Sequence, residues 1–423
     1  MCLCCQGGHG DTATVGVFVD AGSRCETAAN NGTAHFLEHM IFKGTKSRAQ
    51  QALELEFENM GGHLNAYTSR EFTVYQAKVF KNDLPKAVEI LADIVQNSKL
   101  DDAAIDLERR VILREMEEVN SMEQELVFDM LHDVAYPDSG LGRTILGPTE
   151  NILSITRDDL QSYISTHYSG PRVVVAGAGA VNHDDLTALA EKHFGRLPSS
   201  SPAAAAVEDK AVFRGADIRT RDDSRPLAHV ALAVEGAEWT SPHAFPLMVM
   251  QTMLGSWDRS VGSGGNMASR LMQNVAQKDL AHSITAFNTC YKDTGLFGVY
   301  AVAEPHTLND LMYHTLNAMV SMVHHTSEED VNRAKTQLKS MLLQQLDGST
   351  AVCDEIGRQM LIYGRRLTPA ELFTRIDAVD ATAVKGAAEI YINDRDVACS
   401  AVGPIHELPD YNWLRRRTHW HRF

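Results

Sequence analysis

The sequence predicts an α+β fold built from two duplicated domains, and three observations support this prediction. Strand-like apolar runs alternate with long helical patterns in both halves of the chain. The same order of patterns occurs twice. Residues 198–226, which begin with proline and serine and continue with alanine and mixed charges, separate the two occurrences like an exposed connector. We therefore expect an N-terminal domain over 1–197, a linker over 198–226 and a C-terminal domain over 227–423.

The repeat becomes visible when the two halves are aligned with an offset of 225 residues, which places Phe72 on Phe297 and Tyr75 on Tyr300. In each half a β-rich run leads into an apolar helical pattern, and a highly charged helix follows. The predicted strands cover 14–20, 72–80, 172–178, 227–234 and 296–303, and the predicted helices cover 84–95, 102–119, 308–323 and 328–346.

Composition and charge exclude several classes of protein. The 423 residues are 44% hydrophobic and 22% charged, which excludes a mainly disordered chain. A net charge of −16 argues against a nucleic-acid partner and is more compatible with a basic one. The longest apolar stretch, 173–181, is too short for a transmembrane segment. The seven cysteines, an odd number and mostly isolated, favour a reducing compartment over a disulfide framework.

The N-terminus carries Cys2, Cys4 and Cys5 without CxxC spacing, so a metal cluster there is the less favoured interpretation. The first ten residues, MCLCCQGGHG, match neither a secretory signal nor an Arg-rich transit peptide, and any targeting signal is expected to be absent or removed.

The strongest chemical signal is the pattern H-x-x-E-H formed by His35, Glu38 and His39. On a helix the two histidines project from one face, a spacing that suits two ligands of one Zn²⁺, with Glu38 beside them. A catalytic zinc needs a third protein ligand, and a predicted helix downstream carries Glu108 and Glu115 on one stripe. The pattern alone also arises by chance. Apolar residues on the other faces of this predicted helix indicate that it is buried. Burial of two histidines and a glutamate without a partner would cost free energy, which favours a metal site.

Together these motifs resemble the pitrilysin-type zinc peptidases, and within them the β subunits of mitochondrial processing peptidases. The resemblance covers nearly the whole chain and also rests on the segments 39–45, 61–68, 108–115 and 412–417. It implies two similar domains, each with a mostly antiparallel sheet packed with long helices. It further implies one Zn²⁺ held by His35, His39 and Glu115, with Glu38 as general base and Glu108 orienting a ligand.

The resemblance also implies a peptide-binding region. Asn65 and Ala66 correspond to the family's contact with a substrate strand, where an extended peptide would add along a sheet edge. Glu125 and Asp129, four residues apart, correspond to positions that bind an arginine near the cleavage point of a presequence. Without the resemblance, the more common interpretation of this pair is a solvated helix face.

The expected function is that of a zinc metalloendopeptidase that cleaves basic presequences in the mitochondrial matrix, as the catalytic half of a heterodimer with an α subunit. The offset of 225 places Glu115 on Ser340, so the second half is expected to lack the metal site. Two alternatives remain. One is a core structural subunit of the respiratory ubiquinol–cytochrome c reductase, peripheral on the inner membrane, and the other is a general oligopeptidase that acts alone.

Three further segments are given a structural interpretation. Residues 173–179 lack the third glycine of a dinucleotide fingerprint, and 262–265 lack the Lys-Ser/Thr of a phosphate loop and are expected to be flexible. The basic run 415–417 is expected to be a docking strand or a solvated end. Members of the family usually carry a strand and a turn ahead of the segment 14–20. MCLCCQGGHG occupies that place here, so we expect the first sheet to lack one strand.

Overall fold

A computed structural model of the chain describes residues 2–8, 10–200, 210–262 and 267–422. It divides into two compact units, each of which takes one helical segment from the opposite half of the sequence. The first unit comprises Met1–Glu118, Arg143–Asp209 and Gln344–Leu367, and the second comprises Val119–Gly142, Lys210–Leu343 and Thr368–Phe423. The predicted domains 1–197 and 227–423 are continuous ranges and so do not include the two exchanged segments. The chain passes from the first unit to the second after Asp209, which lies within the predicted linker.

Up to residue 194, groups of strands and groups of helices follow one another. In chain order they are β1 (Cys2–Gly7), β2 (Thr12–Val19), α1 (Thr33–Met40), α2 (Gln50–Asn59), β3 (His63–Thr68), β4 (Thr73–Phe80), α3 (Leu84–Asn97), α4 (Asp102–Ser121), α5 (Glu123–Ala135), α6 (Thr149–Ser154), α7 (Arg157–His167), β5 (Val173–Gly179) and α8 (His183–Phe194).

The remaining elements repeat much of this order. They are β6 (Asp217–Arg221), β7 (Ala228–Glu235), α9 (Ala244–Leu254), β8 (Ser256–Asp258), α10 (Arg270–Gln277), β9 (Ser283–Cys290), β10 (Gly295–Ala303), α11 (Leu308–His325), α12 (Glu328–Gln345), α13 (Ser349–Tyr363), α14 (Pro369–Asp377), α15 (Ala381–Tyr391), β11 (Ala398–Gly403) and α16 (Tyr411–Arg416).

The two sheets share the order of five strands, and the second has β8 as a sixth strand at one edge, which confirms the predicted α+β fold with duplicated domains. The first sheet has the order β1-β5-β2-β4-β3 and the second the order β6-β11-β7-β10-β9-β8. In each sheet one pair is parallel, β1 with β5 and β6 with β11, and the other pairs are antiparallel. The continuous apolar runs form the central strands because these are buried on both faces.

The expectation that the first sheet lacks a strand is wrong. Cys2–Gly7 forms β1 and pairs in parallel with β5, from Cys2 opposite Val174 to Gly7 opposite Gly179. This segment has three cysteines, one leucine, one glutamine and one glycine, which gave no strand signal, and its conformation is set by the neighbouring strand.

Each sheet is covered on one face by helices of its own half and on the other by the exchanged helix. In the first unit, one core contains residues of α1, α3 and α7, whereas Cys353 and Ile356 of α13 pack with Phe18 on the opposite face. Contact there is close, because a Cβ at Gly357 would lie 2.3 Å from the ring of Phe18. In the second unit, Val127 and other residues of α5 cover the corresponding face.

Among the described residues, no helix has the length and apolar character needed to cross a membrane.

Candidate metal centre

Helix α1 carries the H-x-x-E-H pattern, and a buried carboxylate fixes its first turn. Gly32 precedes the helix with a φ of +104°, and a Cβ there would lie 2.7 Å from the backbone oxygen of Leu146. The Glu26 side chain accepts hydrogen bonds from the backbone N–H groups of Gly32 (2.9 Å) and Ala34 (2.6 Å) and from the side-chain amide of Asn31 (2.8 Å). A carboxylate satisfies N–H groups at a helix N-terminus and is favoured there by the helix dipole. The start of α1 is therefore fixed, and with it the direction of the side chains that follow.

His35 and His39 lie one turn apart on α1, and their ring centroids are 4.7 Å apart. Oε2 of Glu115, on α4, lies 3.3 Å from Nε2 of His35 and 3.1 Å from Nε2 of His39. One ligand atom from each of the three residues lies within 4.8 Å of the others. Two imidazole nitrogens and one carboxylate oxygen are a donor set that suits a catalytic zinc. The structure thus brings the three predicted ligands together.

Within the described part of the chain, this cluster is the one group of His, Cys, Asp and Glu side chains arranged for a metal ion. The side chains of Cys2, Cys4 and Cys5 lie outside the described residues, as do residues 263–265 of the predicted flexible loop. The four cysteines whose side chains are described are free.

The second ring nitrogen of His39 is held by Glu108, which is 6% exposed. Nδ1 of His39 lies 3.1 Å from Oε2 of Glu108, and Oε1 of Glu108 lies 2.5 Å from Nζ of Lys43. Because an ionised carboxylate only accepts hydrogen bonds, this contact places a proton on Nδ1, so Nε2 is the nitrogen that can bind a metal once it has lost its own proton. Lys43 balances the charge of Glu108 in a partly buried position.

The ligand cluster is strongly coupled electrostatically. Hydrogen bonds from His35 and His39 hold the pKa of Glu115 well below its usual range. Burial lowers the pKa of His35, but the hydrogen bond to Glu115 and the negative charge of nearby Glu38 outweigh it and raise this pKa to about 9. Glu115 is therefore an anion at neutral pH, and a metal cation must displace a proton from the cluster when it binds.

Glu38 lies beside the cluster on the same helix. Its Oε2 is 3.8 Å from Nδ1 of His35, and its side chain is 17% exposed. A partly accessible carboxylate at this position can exchange a proton with a water molecule next to the ligands.

Asn65 and Ala66 lie on β3, the edge strand of the first sheet. They pair with Gln76 and Tyr75 of β4, and among the described residues no strand pairs with the outer side of β3. Helix α1 packs against β3. An open edge offers unpaired backbone N–H and C=O groups to an extended peptide, and here it runs beside the candidate metal centre.

Glu125 and Asp129 lie one turn apart on α5, which belongs to the second compact unit. Glu125 is exposed and Asp129 is partly buried. Their neighbour Glu123 forms an ion pair with Arg225 at 2.8 Å. The contact of Glu125 and Asp129 with an arginine stays a prediction.

Sequence reasoning missed the roles of Glu26 and Lys43. Lys43 follows His39 by four residues, a spacing that could have indicated a shared contact with Glu108. Glu26 lies on a loop that folds back onto α1, and no local pattern marks such a contact.

Comparison with known proteins identifies the family. The sequence model described as "Insulinase (Peptidase family M16)" matches residues 6–149, and that described as "Peptidase M16 inactive domain" matches residues 154–338. The chain is 55% identical to the probable mitochondrial-processing peptidase subunit beta of Arabidopsis thaliana, over 97% of this chain and 78% of the relative. It is 54% identical to the mitochondrial-processing peptidase subunits beta of Bos taurus and Homo sapiens, over 97% of this chain and 84% of each relative. The chain belongs to peptidase family M16.

A solved structure shows the same fold. A chain of complex III2 from Candida albicans, bound to Inz-5, superposes with a TM-score of 0.88 at 25% sequence identity, covering 99% of this chain and 97% of that chain. The predicted resemblance and the two-domain fold are therefore confirmed. Within family M16 the chain groups with the beta subunits of mitochondrial-processing peptidases, so it is a mitochondrial metallopeptidase. The candidate ligands all fall within residues 6–149, outside the part that matches the M16 inactive domain.

Proposed function

We propose that this M16 peptidase is a zinc endopeptidase subunit that removes basic presequences from proteins imported into the mitochondrial matrix. The observation that carries the proposal is the convergence of His35, His39 and Glu115 beside the carboxylate of Glu38. The names of its relatives, beta subunits of mitochondrial-processing peptidases, support the substrate class.

The donor set fits Zn²⁺, which binds imidazole and carboxylate ligands and leaves a position open for reactants. A Zn²⁺ ion bound there would polarise the scissile carbonyl and lower the pKa of an attacking water. Glu38 takes the proton from that water and passes it to the leaving amine. Glu108 keeps the proton of His39 on Nδ1, so that Nε2 remains available as a ligand.

The same proposal assigns the peptide contacts. Asn65 and Ala66 on the open edge of β3 hold an extended peptide through backbone hydrogen bonds. Glu125 and Asp129 accept charge-assisted hydrogen bonds from an arginine of the presequence. The word "subunit" in the names of the relatives supports assembly with a second, α-type subunit, and we propose a heterodimer.

The decisive experiment measures zinc content and cleavage of an arginine-containing presequence peptide, with and without an α-type subunit. We expect one zinc per chain in the wild type. We expect Glu38→Gln to keep the zinc and to lose cleavage by a factor of about 10² to 10⁴, because the proton acceptor is gone. Glu58→Gln, an exposed glutamate on α2, is the matched control and should cleave normally. Normal cleavage by Glu38→Gln, or wild-type protein that cleaves without metal, would refute the proposal.

The structural likeness to a chain of complex III2 favours a second candidate, membership in the respiratory ubiquinol–cytochrome c reductase. The two functions are separated by native gel electrophoresis of mitochondrial membranes. Migration of the chain with the respiratory complex supports the second candidate, and recovery as a soluble heterodimer opposes it.

A further inference from the structure

Asp354 on α13 connects the edge strand β3 and its neighbour β4 to the exchanged helix. Its Oδ1 accepts a hydrogen bond from the hydroxyl of Tyr67 on β3 at 2.5 Å and another from the side-chain amide of Gln76 on β4 at 3.0 Å. Its Oδ2 lies 2.9 Å from Nε of Arg358, one turn further along α13. A single carboxylate thus connects an edge strand, its neighbour and a helix supplied by residues 344–367.

The strand register shows that this contact lies on the same face as the Asn65 side chain. Side chains alternate along β3, so Asn65 and Tyr67 share one face, while Leu64 and Ala66 pack into the core on the other. Asn65 lies opposite Gln76 in the register, and Gln76 is itself a partner of Asp354. The network therefore lies next to the part of β3 proposed to hold the peptide.

An edge strand needs such support because a neighbour holds it on one side only. The twist of β3 and its position in the sheet decide whether its unpaired backbone N–H and C=O groups align with an incoming peptide. On β3, Tyr67 provides this support through its hydrogen bond to Asp354. Burial and the charge of Asp354 raise the pKa of Tyr67 above its usual range, so the hydroxyl keeps its proton and remains a donor.

We propose that Asp354 is a positioning residue for peptide binding, which acts through Tyr67 to hold the β3 edge in the conformation that pairs with substrate. This inference rests on the proposed function, because it needs a peptide that binds along β3. The contacts of Asp354 leave the metal cluster untouched, since His35, His39 and Glu115 bond to one another and to other residues. Loss of Asp354 should therefore weaken peptide binding without removing the metal or the general base.

The experiment uses the chain assembled with an α-type subunit and a fluorescently labelled, arginine-containing presequence peptide. Binding is measured by anisotropy in a Glu38→Gln background, which prevents cleavage, and kcat and KM are measured with Glu38 intact. For Asp354→Ala and Tyr67→Phe we expect Kd and KM to rise by a factor of about 3 to 10, with kcat and zinc content nearly unchanged. The double variant should be no worse than the stronger single variant, because both remove one contact.

Two controls make the result specific. Asp354→Asn keeps an oxygen acceptor for Tyr67 and should restore most of the binding. Asp11→Ala removes a carboxylate from an exposed ion pair with Lys81 in the same unit and should bind peptide like the wild type. Tyr67→Phe preserves shape, so it tests the inference even if Asp354→Ala fails to fold.

The inference is overturned if the wild type cleaves the peptide and Tyr67→Phe binds it with unchanged Kd. It is also overturned if the variants lower kcat and zinc content instead of raising KM, since that would be a general structural effect. Failure of the proposed function has a different signature, which is a wild-type chain that neither holds zinc nor cleaves the peptide.

Discussion

Truncation of Glu108 tests whether the carboxylate behind His39 sets the affinity of the metal centre. Glu108→Ala removes the acceptor that lies 3.1 Å from Nδ1 of His39 and the partner of Lys43 at 2.5 Å. The ring of His39 can then turn or change tautomer, which removes Nε2 from the ligand position in part of the population. Loss of such an outer partner weakens metal binding about 10- to 100-fold, or about 1.4 to 2.8 kcal/mol.

The structure also indicates how large the loss of zinc affinity in the Glu108 variants can be. The side chain of Lys43 is 24% exposed, so its ammonium can reach water and does not become a buried, unpaired charge. Glu108→Gln retains an oxygen that can accept from Nδ1 but loses the negative charge, so we expect a smaller loss, about threefold to tenfold. The order of zinc affinity should therefore be wild type, then Glu108→Gln, then Glu108→Ala.

The assay is zinc competition with a chromophoric chelator at fixed pH, together with metal analysis after dialysis. Asp106→Ala on the same helix is the control, because its side chain is 70% exposed and pairs with Arg109 on the surface. Zinc affinity of Glu108→Ala equal to that of the wild type would contradict the reasoning. So would an equal loss in the Gln and Ala variants, because the geometry assigns part of the effect to the retained acceptor.

Other consequences concern stability. Burial, with the guanidinium of Arg172 close by, lowers the pKa of His167 to about 4. The stability from its neutral ring is present above pH 6.5 and lost as pH falls through about 4, and His167→Gln should reduce this acid sensitivity in urea unfolding. Gly357→Ala should destabilise the chain by about 1 to 3 kcal/mol in the same assay, because its Cβ meets the ring of Phe18. Glu26→Ala should cost a similar amount, about 1 to 3 kcal/mol, because it leaves N–H groups of α1 unsatisfied. An unchanged acid sensitivity of His167→Gln, or unchanged urea midpoints of the other two variants, would contradict these expectations.

Sequence patterns predicted the elements that a continuous apolar run or a helical period defines. Strands β4 and β10 and helices α3 and α11 begin and end within a few residues of the predicted bounds. The spacing of His35 and His39 predicted their shared face, because four residues on a helix allow little else.

Long-range contacts escaped prediction. Strand β3 has a mixed exposure pattern, and its pairing with β4 determines its conformation. The assignment of α5 and α13 to opposite compact units depends on which sheet face each helix covers, and this is not a local property of either helix. Glu26 and Asp354 act through partners far along the chain or on another element.

The exchange of α5 and α13 has a consequence for how the polypeptide matures. In the sheet that carries the edge strand, Phe18, Val74 and Val174 form an apolar face, and among the described residues α13 packs on it. A chain that emerges from its N-terminus must therefore deliver some 360 residues before this face can close. Until then this apolar surface is exposed to solvent, so we expect chaperones to bind the nascent or newly imported polypeptide. Cutting the gene at the connector should accordingly yield two fragments that aggregate when made separately and recover solubility when made together.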